Sequence, residues 1–153
     1  MAPAAPITDP KAIRAFLFAG KAHLTLVSKV TGKRYTYEVE RRNPRNELDE
    51  WCFVRLLVGP DNGSDYRYIG GLDSRDLYVE DSMVFSVSPK VTRQAPVEAF
   101  AWMLRTLENN PAKFFEQAEI WHSGVCSRCH RELTDPDSIA TGLGPVCRER
   151  MMG

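Results

Sequence analysis

Alternating apolar and polar residues mark the first half of the chain as a sheet. Tyr35, Tyr37 and Val39 alternate with polar residues across 34–41, the period-two pattern of a strand with one wet face. A second strand is predicted at 23–29, and Gly32 in the turn at 30–33 supplies the positive φ of a tight hairpin. Further strands are predicted at 51–58, which is the most apolar and is expected in the centre of the sheet, at 66–72 and at 83–87. The short connections favour antiparallel pairing.

Two segments have helical periodicity and helix boundary residues. Asp9 before Pro10 is typical of an N-cap followed by the first helical residue, and Gly20 ends the segment, which predicts a helix over 10–19. Pro96 begins a second helix that runs to Glu108 and has its apolar residues on one stripe. Residues 1–118 are therefore predicted to form an α+β domain with about five antiparallel strands and two or three helices.

The composition is that of an ordinary globular protein. The chain has 153 residues, of which 43% are hydrophobic and 26% charged, and these values exclude whole-chain disorder and fibrous classes. No apolar stretch approaches the roughly 20 residues that a membrane-spanning helix requires, so we expect no membrane partner. The first six residues lack the positive and apolar regions of a secretion signal, which predicts a frayed tail on a cytoplasmic protein.

The net charge is zero, but the charges are unevenly distributed. Positions 1–46 hold nine basic and three acidic residues, whereas positions 47–82 hold three basic and nine acidic ones. The rest of the chain holds eight of each sign. This distribution gives no overall attraction to nucleic acid, although a local basic patch can still attract phosphate. Two solvated faces of opposite charge explain the same distribution.

The last thirty-five residues contain the chemistry that is easiest to recognise. Cys126 and Cys129 form a Cys-x-x-Cys pair, and Cys147 follows after 17 intervening residues, where Pro145 can begin a terminal helix. In a cytoplasmic chain such cysteines indicate metal binding more than disulfides, and a sulfur-rich tetrahedral set favours zinc. We expect one structural Zn²⁺ in a module at 119–153 packed on the α+β domain. Buried free thiols are the alternative.

Two histidines compete as the fourth ligand. His130 follows Cys129 directly, and adjacent side chains rarely converge on one tetrahedral ion. His122 is separated from Cys126 by three residues, and Gly124 allows this loop to fold back. We therefore predict the ligand set His122, Cys126, Cys129 and Cys147, with His130 as the alternative to His122. Four protein ligands would saturate the ion, so it would stabilise the fold and not activate water.

No catalytic constellation is recognisable beside the cysteines. Zinc deaminases require His-x-Glu followed by Pro-Cys-x-x-Cys, but Gly124 stands where the glutamate is needed and Val125 precedes Cys126. The strand–helix context of a thioredoxin-like Cys-x-x-Cys is missing. The sequence contains no recognisable nucleophile–base pair and no recognisable phosphate-binding loop. We therefore predict a protein that acts by binding and is not an enzyme.

The C-terminal motif resembles a phage- and prophage-associated family of unknown function that has a small zinc-binding motif. The resemblance rests on W-H-x-G-x-C-x-x-C from residue 121, R-x-L-T-D-P-x-S-I from residue 131 and G-x-G-P-x-C from residue 142. Segments at 20–37 and 59–68 look like the N-terminal part of the same family. The resemblance implies His122, Cys126, Cys129 and Cys147 as ligands and a bacterial host cell as the location. It supplies no enzymatic activity. The family usually has glycine where this chain has His130.

Aromatic and basic residues predict a surface for a partner. Tyr35, Tyr37, Phe53, Tyr66 and Tyr68 on one sheet face would offer a stacking platform for single-stranded nucleic acid. The alternative is that this face is core beneath a helix. The residues predicted to bind nucleic acid or a partner are Arg34, Tyr35, Tyr37, Arg41, Arg42, Arg45, Arg128 and Arg131.

Two functions fit these features. The first is a zinc-containing, nucleic-acid-associated accessory factor that uses the basic hairpin and the zinc module. The second is a phage-encoded inhibitor of a host defence complex, anti-CRISPR-like, which binds the host nucleoprotein complex through protein–protein contacts. In that case the acidic stretch 47–81 would mimic phosphate charge. The phage association comes from the family resemblance alone.

Overall fold

One antiparallel sheet organises the residues that the computed structural model describes, which are 4–61, 64–74 and 82–153. Within them the seven strands are β1 (Ala5–Ile7), β2 (Lys21–Ser28), β3 (Arg34–Arg41), β4 (Cys52–Leu57), β5 (Tyr66–Asp73), β6 (Val84–Val87) and β7 (Ala118–His122). The strand order across the sheet is β1-β7-β2-β3-β4-β5-β6. The five helices of these ranges are α1 (Pro10–Phe18), α2 (Ala95–Asn109), α3 (Pro111–Gln117), α4 (Pro136–Thr141) and α5 (Pro145–Met152). The predicted α+β class is confirmed.

The predicted number of strands, about five, is too low. Strand β1 is only three residues long and lies in the Ala- and Pro-rich segment that was expected to be a frayed tail. Strand β7 has a period-two pattern, with Ala118, Ile120 and His122 buried and the residues between them half-buried, but its residues were assigned to the zinc module. The predicted boundary between 118 and 119 thus falls inside β7, which pairs with β1 and β2.

Local sequence explains the first helix and the first hairpin. The Asp9 carboxylate accepts a hydrogen bond from the Lys11 N–H at 3.3 Å, so α1 begins at its predicted N-cap. The turn between β2 and β3 contains Gly32 with φ of 76°, the left-handed conformation that glycine adopts without strain. The register pairs Leu24 with Tyr37 across this hairpin. None of the described helices is both long enough and apolar enough to cross a membrane.

The main core lies between the sheet and the helices α1 and α2. The Tyr37 ring packs on Phe100 of α2 with ring centroids 4.9 Å apart, and Phe85 of β6 contacts the same Phe100 at 4.8 Å. Phe16 of α1 and Leu24 of β2 are each 1% exposed in this core. The opposite sheet face carries polar and aromatic side chains such as His23, Phe53 and Tyr68, which are half-buried or exposed. The sheet therefore has one face covered by helices and one face open.

Candidate metal centre and adjoining groove

Strand β7 leads into a tight turn that presents Cys126 and Cys129. The Cys126 N–H donates to the Arg131 carbonyl at 2.9 Å, and the Leu133 N–H donates to the Gly124 carbonyl at 3.0 Å, so an isolated antiparallel bridge between Val125 and Glu132 flanks the turn. The His130 N–H closes it by donating to the Cys126 carbonyl at 2.9 Å. His130 has φ of 65°, which explains why glycine is favoured at this position.

The third sulfur comes from the first turn of α5. Gly144 is the N-cap of this helix, Pro145 is its first residue, and Cys147 follows two residues later. The sulfurs of Cys126, Cys129 and Cys147 all lie within 4.8 Å of one another. In a tetrahedral zinc site with Zn–S bonds of about 2.3 Å the sulfurs are roughly 3.8 Å apart. Three soft donors at this spacing fit a zinc ion after small side-chain movements.

Hydrogen bonds favour the thiolate form of Cys126. Burial raises the pKa of Cys126, but the backbone N–H groups of Cys129, Gly144 and Arg128 outweigh it and lower this pKa below the ordinary value. Burial and the neighbouring sulfurs raise the pKa of Cys147, although Arg128 Nη1 lies 3.7 Å from its sulfur and opposes this shift. Of these two thiols, Cys126 is therefore the one whose surroundings favour the thiolate that a metal ion binds.

A small apolar cluster and one serine join the centre to α1. Ala15 of α1 and Ala19, the C-cap of this helix, pack with Cys126, Leu133, Leu143 and Cys147. Ser127, between the two cysteines of the turn, is 1% exposed, and its hydroxyl donates to the Phe16 carbonyl at 2.9 Å. Its carbonyl accepts from the Lys21 N–H at 2.8 Å. Sequence reasoning missed Ser127, because a serine between two cysteines gives no sign that it contacts a distant helix.

His122 is not brought to the three sulfurs, although it was predicted to be the fourth ligand. Its Nε2 lies 2.7 Å from the Ile139 carbonyl, and its Nδ1 accepts a hydrogen bond from the Gly124 N–H at 2.9 Å. His130, the alternative ligand, is exposed and is also outside the group of sulfurs. Among the described residues, the metal-ligating group consists of the three cysteines alone.

A basic groove borders the centre on its α1 side. It consists of two adjoining cavities of about 390 and 610 Å³, which share Arg41, Arg128 and the residues around them. The basic groove is lined by six basic residues, Lys11, Arg14, Lys21, Arg41, Arg128 and Arg150, and by the acidic residues Glu40, Glu47 and Glu50. Arg14 is paired with Glu50 at 3.7 Å, which leaves a surplus of positive charge along the rest of the groove.

Two residues of the predicted partner surface are buried, and this part of the prediction is corrected. Tyr37 is fully buried because β3 points it at α2, where its hydroxyl donates to the Pro96 carbonyl at 2.6 Å. Arg41 is 8% exposed, and its guanidinium donates to backbone carbonyls, including those of Asn46 and Asp49 at 2.8 and 2.7 Å. Neither side chain is placed to stack on a base, and the guanidinium of Arg41 is engaged by these carbonyls where it lines the groove.

The other predicted surface residues do not form one patch. Tyr35 lies on the helix-covered side of the sheet and packs at the edge of the main core. Arg42 pairs with Asp49 at 3.0 Å. The remaining arginines are exposed or half-buried at different ends of the structure, namely Arg34 at the hairpin, Arg45 in the loop after β3, and Arg128 and Arg131 in the cysteine turn. Of these residues, only Arg128 and the buried Arg41 line the basic groove.

The open sheet face holds a separate cluster of aromatic residues. The Phe53 and Tyr68 rings meet edge to face with centroids 6.2 Å apart, and Tyr66 stacks on His23 at 5.6 Å. Arg55 lies across this face and forms ion pairs with Glu38 at 2.8 Å and with Glu40 at 2.9 Å. The aromatic residues of the predicted platform are thus divided between the two faces of the sheet.

The C-terminal segment that contains the clustered cysteines is similar to a known protein family. Residues 117–152 match the model of a family of unknown function, DUF6011. The match runs from the end of α3 to the end of α5 and includes β7 and all three clustered cysteines, but it covers under a quarter of the chain. No curated protein and no solved structure gives a significant match. The similarity supports a family of unknown function for this segment, and the phage association stays a prediction.

Proposed function

We propose that this protein is a non-enzymatic, zinc-stabilised binding protein that associates with nucleic acid by holding phosphate groups in the basic groove. The observation that carries the proposal is the surplus of basic over acidic side chains in a concave surface beside the cysteine cluster. Clefts lined by charges of one sign concentrate ions of the opposite sign, and the phosphate groups of nucleic acids are anions that basic grooves commonly bind.

The metal has a structural part in this proposal. Arg128 lies between the two cysteines of the turn, and Arg150 lies one turn after Cys147 on α5. A zinc ion bound to the three sulfurs would hold the turn and α5 together, and it would thereby fix both arginines against α1. Loss of the ion would release the two basic side chains from one wall of the groove.

The groove supports phosphate binding more than reading of base sequence. Lys11 and Arg150 are exposed and Arg128 is half-buried, whereas Lys21 pairs with Glu38 at 4.0 Å, so three cations remain for phosphates. Contacts to phosphate fix position on a nucleic acid but carry no sequence information. We therefore expect weak, sequence-independent affinity. The affinity should fall with salt at a log–log slope of about −2 for three contacts to a single strand.

The test is a salt titration of nucleic-acid binding with the full chain. Fluorescence anisotropy of labelled single-stranded DNA, duplex DNA and RNA should show binding that weakens steeply with salt. The double variant Lys11→Glu with Arg150→Glu should reduce affinity by about tenfold or more, since two contacts are reversed in charge. Arg105→Glu is the matched control, because Arg105 is exposed on α2 and does not line the groove. A flat salt response, or an equal loss in the control, contradicts the proposal.

The inhibitor hypothesis is a second candidate, favoured by the open sheet face. This face carries the aromatic residues Phe53, Tyr66 and Tyr68 beside Arg55, whose charge is compensated by an ion pair. The cores of protein interfaces are enriched in aromatic residues and depleted of charged ones. A stable complex with a bacterial nucleoprotein complex, together with no intrinsic nucleic-acid binding, would favour this function. Its proposed acidic mimic, 47–81, includes 62–63 and 75–81, which lie outside the described residues.

A further inference from the structure

The three sulfurs need a fourth donor to complete a zinc site. Structural zinc ions in proteins are almost always four-coordinate. In the ranges that the structure describes, the group of clustered His, Cys, Asp and Glu ligand atoms contains Cys126, Cys129 and Cys147 and no fourth member. The described part of the chain therefore supplies three donors of these types within 4.8 Å, and the fourth donor has to be inferred.

The hydrogen bonds of His122 argue against this residue as the fourth donor. A carbonyl oxygen can only accept, so Nε2 carries the proton and donates to Ile139, while Nδ1 accepts from Gly124. A neutral imidazole has one donor and one acceptor, and both are used here. Binding a metal through either nitrogen would break a hydrogen bond in a side chain that is 2% exposed. His122 is a positioning residue that fastens the turn and α4 to the end of β7.

The surroundings of the sulfurs indicate where an outside donor can approach. Cys126 and Cys147 are buried in the apolar cluster, whereas Cys129 is exposed. Arg128 Nη1 lies 3.7 Å from the Cys147 sulfur, and Arg128 also lines the basic groove. The accessible side of the centre therefore faces the solvent near Cys129 and the groove.

We propose that the metal centre keeps its fourth coordination position for a donor from outside the chain, with solvent there in the free protein and a neutral nitrogen of the imidazole type as the exchangeable ligand. Zn²⁺ with three thiolates carries a net charge of −1, which disfavours a hard anion such as phosphate. Imidazole is neutral and of borderline softness, and it completes the Cys₃His set that is common in structural zinc sites.

The test uses cobalt as a spectroscopic probe of the full-length protein. Co²⁺ bound to three thiolates gives a charge-transfer band for the sulfurs and visible ligand-field bands that report the fourth donor. Titration with imidazole should shift the ligand-field bands to saturation while the charge-transfer intensity stays constant. Inorganic phosphate at the same concentrations should leave both sets of bands unchanged. Absence of any response to imidazole overturns the proposal, because it means that an atom of the protein already fills the position.

Two variants separate the proposal from a role of either histidine as ligand. His122→Gln keeps a donor that can reach the Ile139 carbonyl, and His130→Ala removes the exposed ring beside Cys129. Both should bind Co²⁺ within about threefold of the unchanged protein and keep its response to imidazole. A tenfold or greater loss of Co²⁺ affinity in either variant, with imidazole restoring the original spectrum, would identify that histidine as the ligand and refute the proposal. These outcomes do not depend on nucleic-acid binding, so the proposal and the proposed function fail independently.

Discussion

Replacing Cys147 by serine tests whether a metal ion holds the C-terminal segment together. The Cys147 sulfur lies within 4.8 Å of the sulfurs of Cys126 and Cys129. Serine has a similar size but no soft sulfur donor, so the main effect of the change is on metal binding. Cys52 provides the matched control, because it is a buried free cysteine in β4, outside this group, and burial raises its pKa to about 12.

The size of the effect follows from what remains when the metal is lost. Structural zinc contributes an apparent binding free energy of about 10–16 kcal/mol in isolated zinc-finger peptides. Without it, the largest remaining apolar contribution here comes from Leu133 and Leu143, each worth about 1.5–3 kcal/mol when fully buried. Ordering a residue costs roughly 1–2 kcal/mol, so a segment of this length cannot stay folded on two leucines. We expect local unfolding of residues 123–152 while the sheet persists.

Metal analysis and hydrogen exchange measure the two parts of this expectation. The unchanged protein and Cys52→Ser should each contain about one zinc per chain, and Cys147→Ser should contain almost none. Amide exchange should become fast at Cys126 and Leu133, whose N–H groups are hydrogen-bonded within the segment, and should stay slow in β2 to β4. Full zinc content and unchanged protection in Cys147→Ser would refute the reasoning, as would an equal loss of zinc from the Cys52 control.

Three further substitutions test the packing around the site and the ion pairs of the open sheet face. Gly142→Ala should lower the free energy of unfolding by about 2 kcal/mol or more in urea denaturation, because φ is 73° and a Cβ would lie 2.6 Å from the Phe16 ring. Gly144→Ala is the control: its Cβ would meet open space, so it should cost less than half as much. Ser127→Ala should cost about 1–3 kcal/mol in the same assay, since it leaves the buried Phe16 carbonyl without its donor. Burial raises the pKa of Glu38, but hydrogen bonds from His23 and Arg55 and the nearby charge of Lys21 outweigh it and lower this pKa below its ordinary value, so its stabilising contribution is present at neutral pH and is lost as the pH falls through the lowered pKa. Glu38→Gln should therefore cost about 1 kcal/mol at neutral pH and progressively less on acidification, as followed by urea denaturation across a series of pH values.

The parts of the fold that could be predicted are those whose sequence pattern is local. The N-cap at Asp9 and the turn at Gly32 each lie within a few residues, and each is confirmed. The predicted strand at 34–41 is also present as β3, but burial along it does not alternate strictly, because Glu38 on its predicted wet face is buried. Strand β7 shows the limit of this reasoning. Its five residues alternate correctly, but whether they join the sheet depends on β1 and β2, which lie about a hundred residues earlier in the chain.

The candidate site, too, could be predicted only where the sequence pattern is local. Cys-x-x-Cys followed by a third cysteine is a pattern of side-chain chemistry, and the three sulfurs do come together. The assignment of His122 rested on spacing and on the family resemblance, neither of which can reveal that a carbonyl of α4 and an amide of the loop hydrogen-bond to its ring. Likewise, the aromatic residues of β3 and β5 were grouped by type, although the pleat of the sheet and the bulge between Val54 and Arg55 decide which face each one occupies.

These contacts make the metal centre, α1 and the basic groove one mechanical unit. Ser127 fastens the cysteine turn to Phe16 and Lys21, and the next residue, Arg128, contributes both to the sulfur cluster and to the groove. A displacement of the turn must therefore move a wall of the groove relative to α1, because the apolar cluster between them is close-packed. On the proposed function, loss of the metal would therefore weaken phosphate binding in the groove by displacing Arg128, which lies 3.7 Å from the Cys147 sulfur and also lines the groove. By linkage, a phosphate ligand that binds the groove would strengthen metal binding by the same factor.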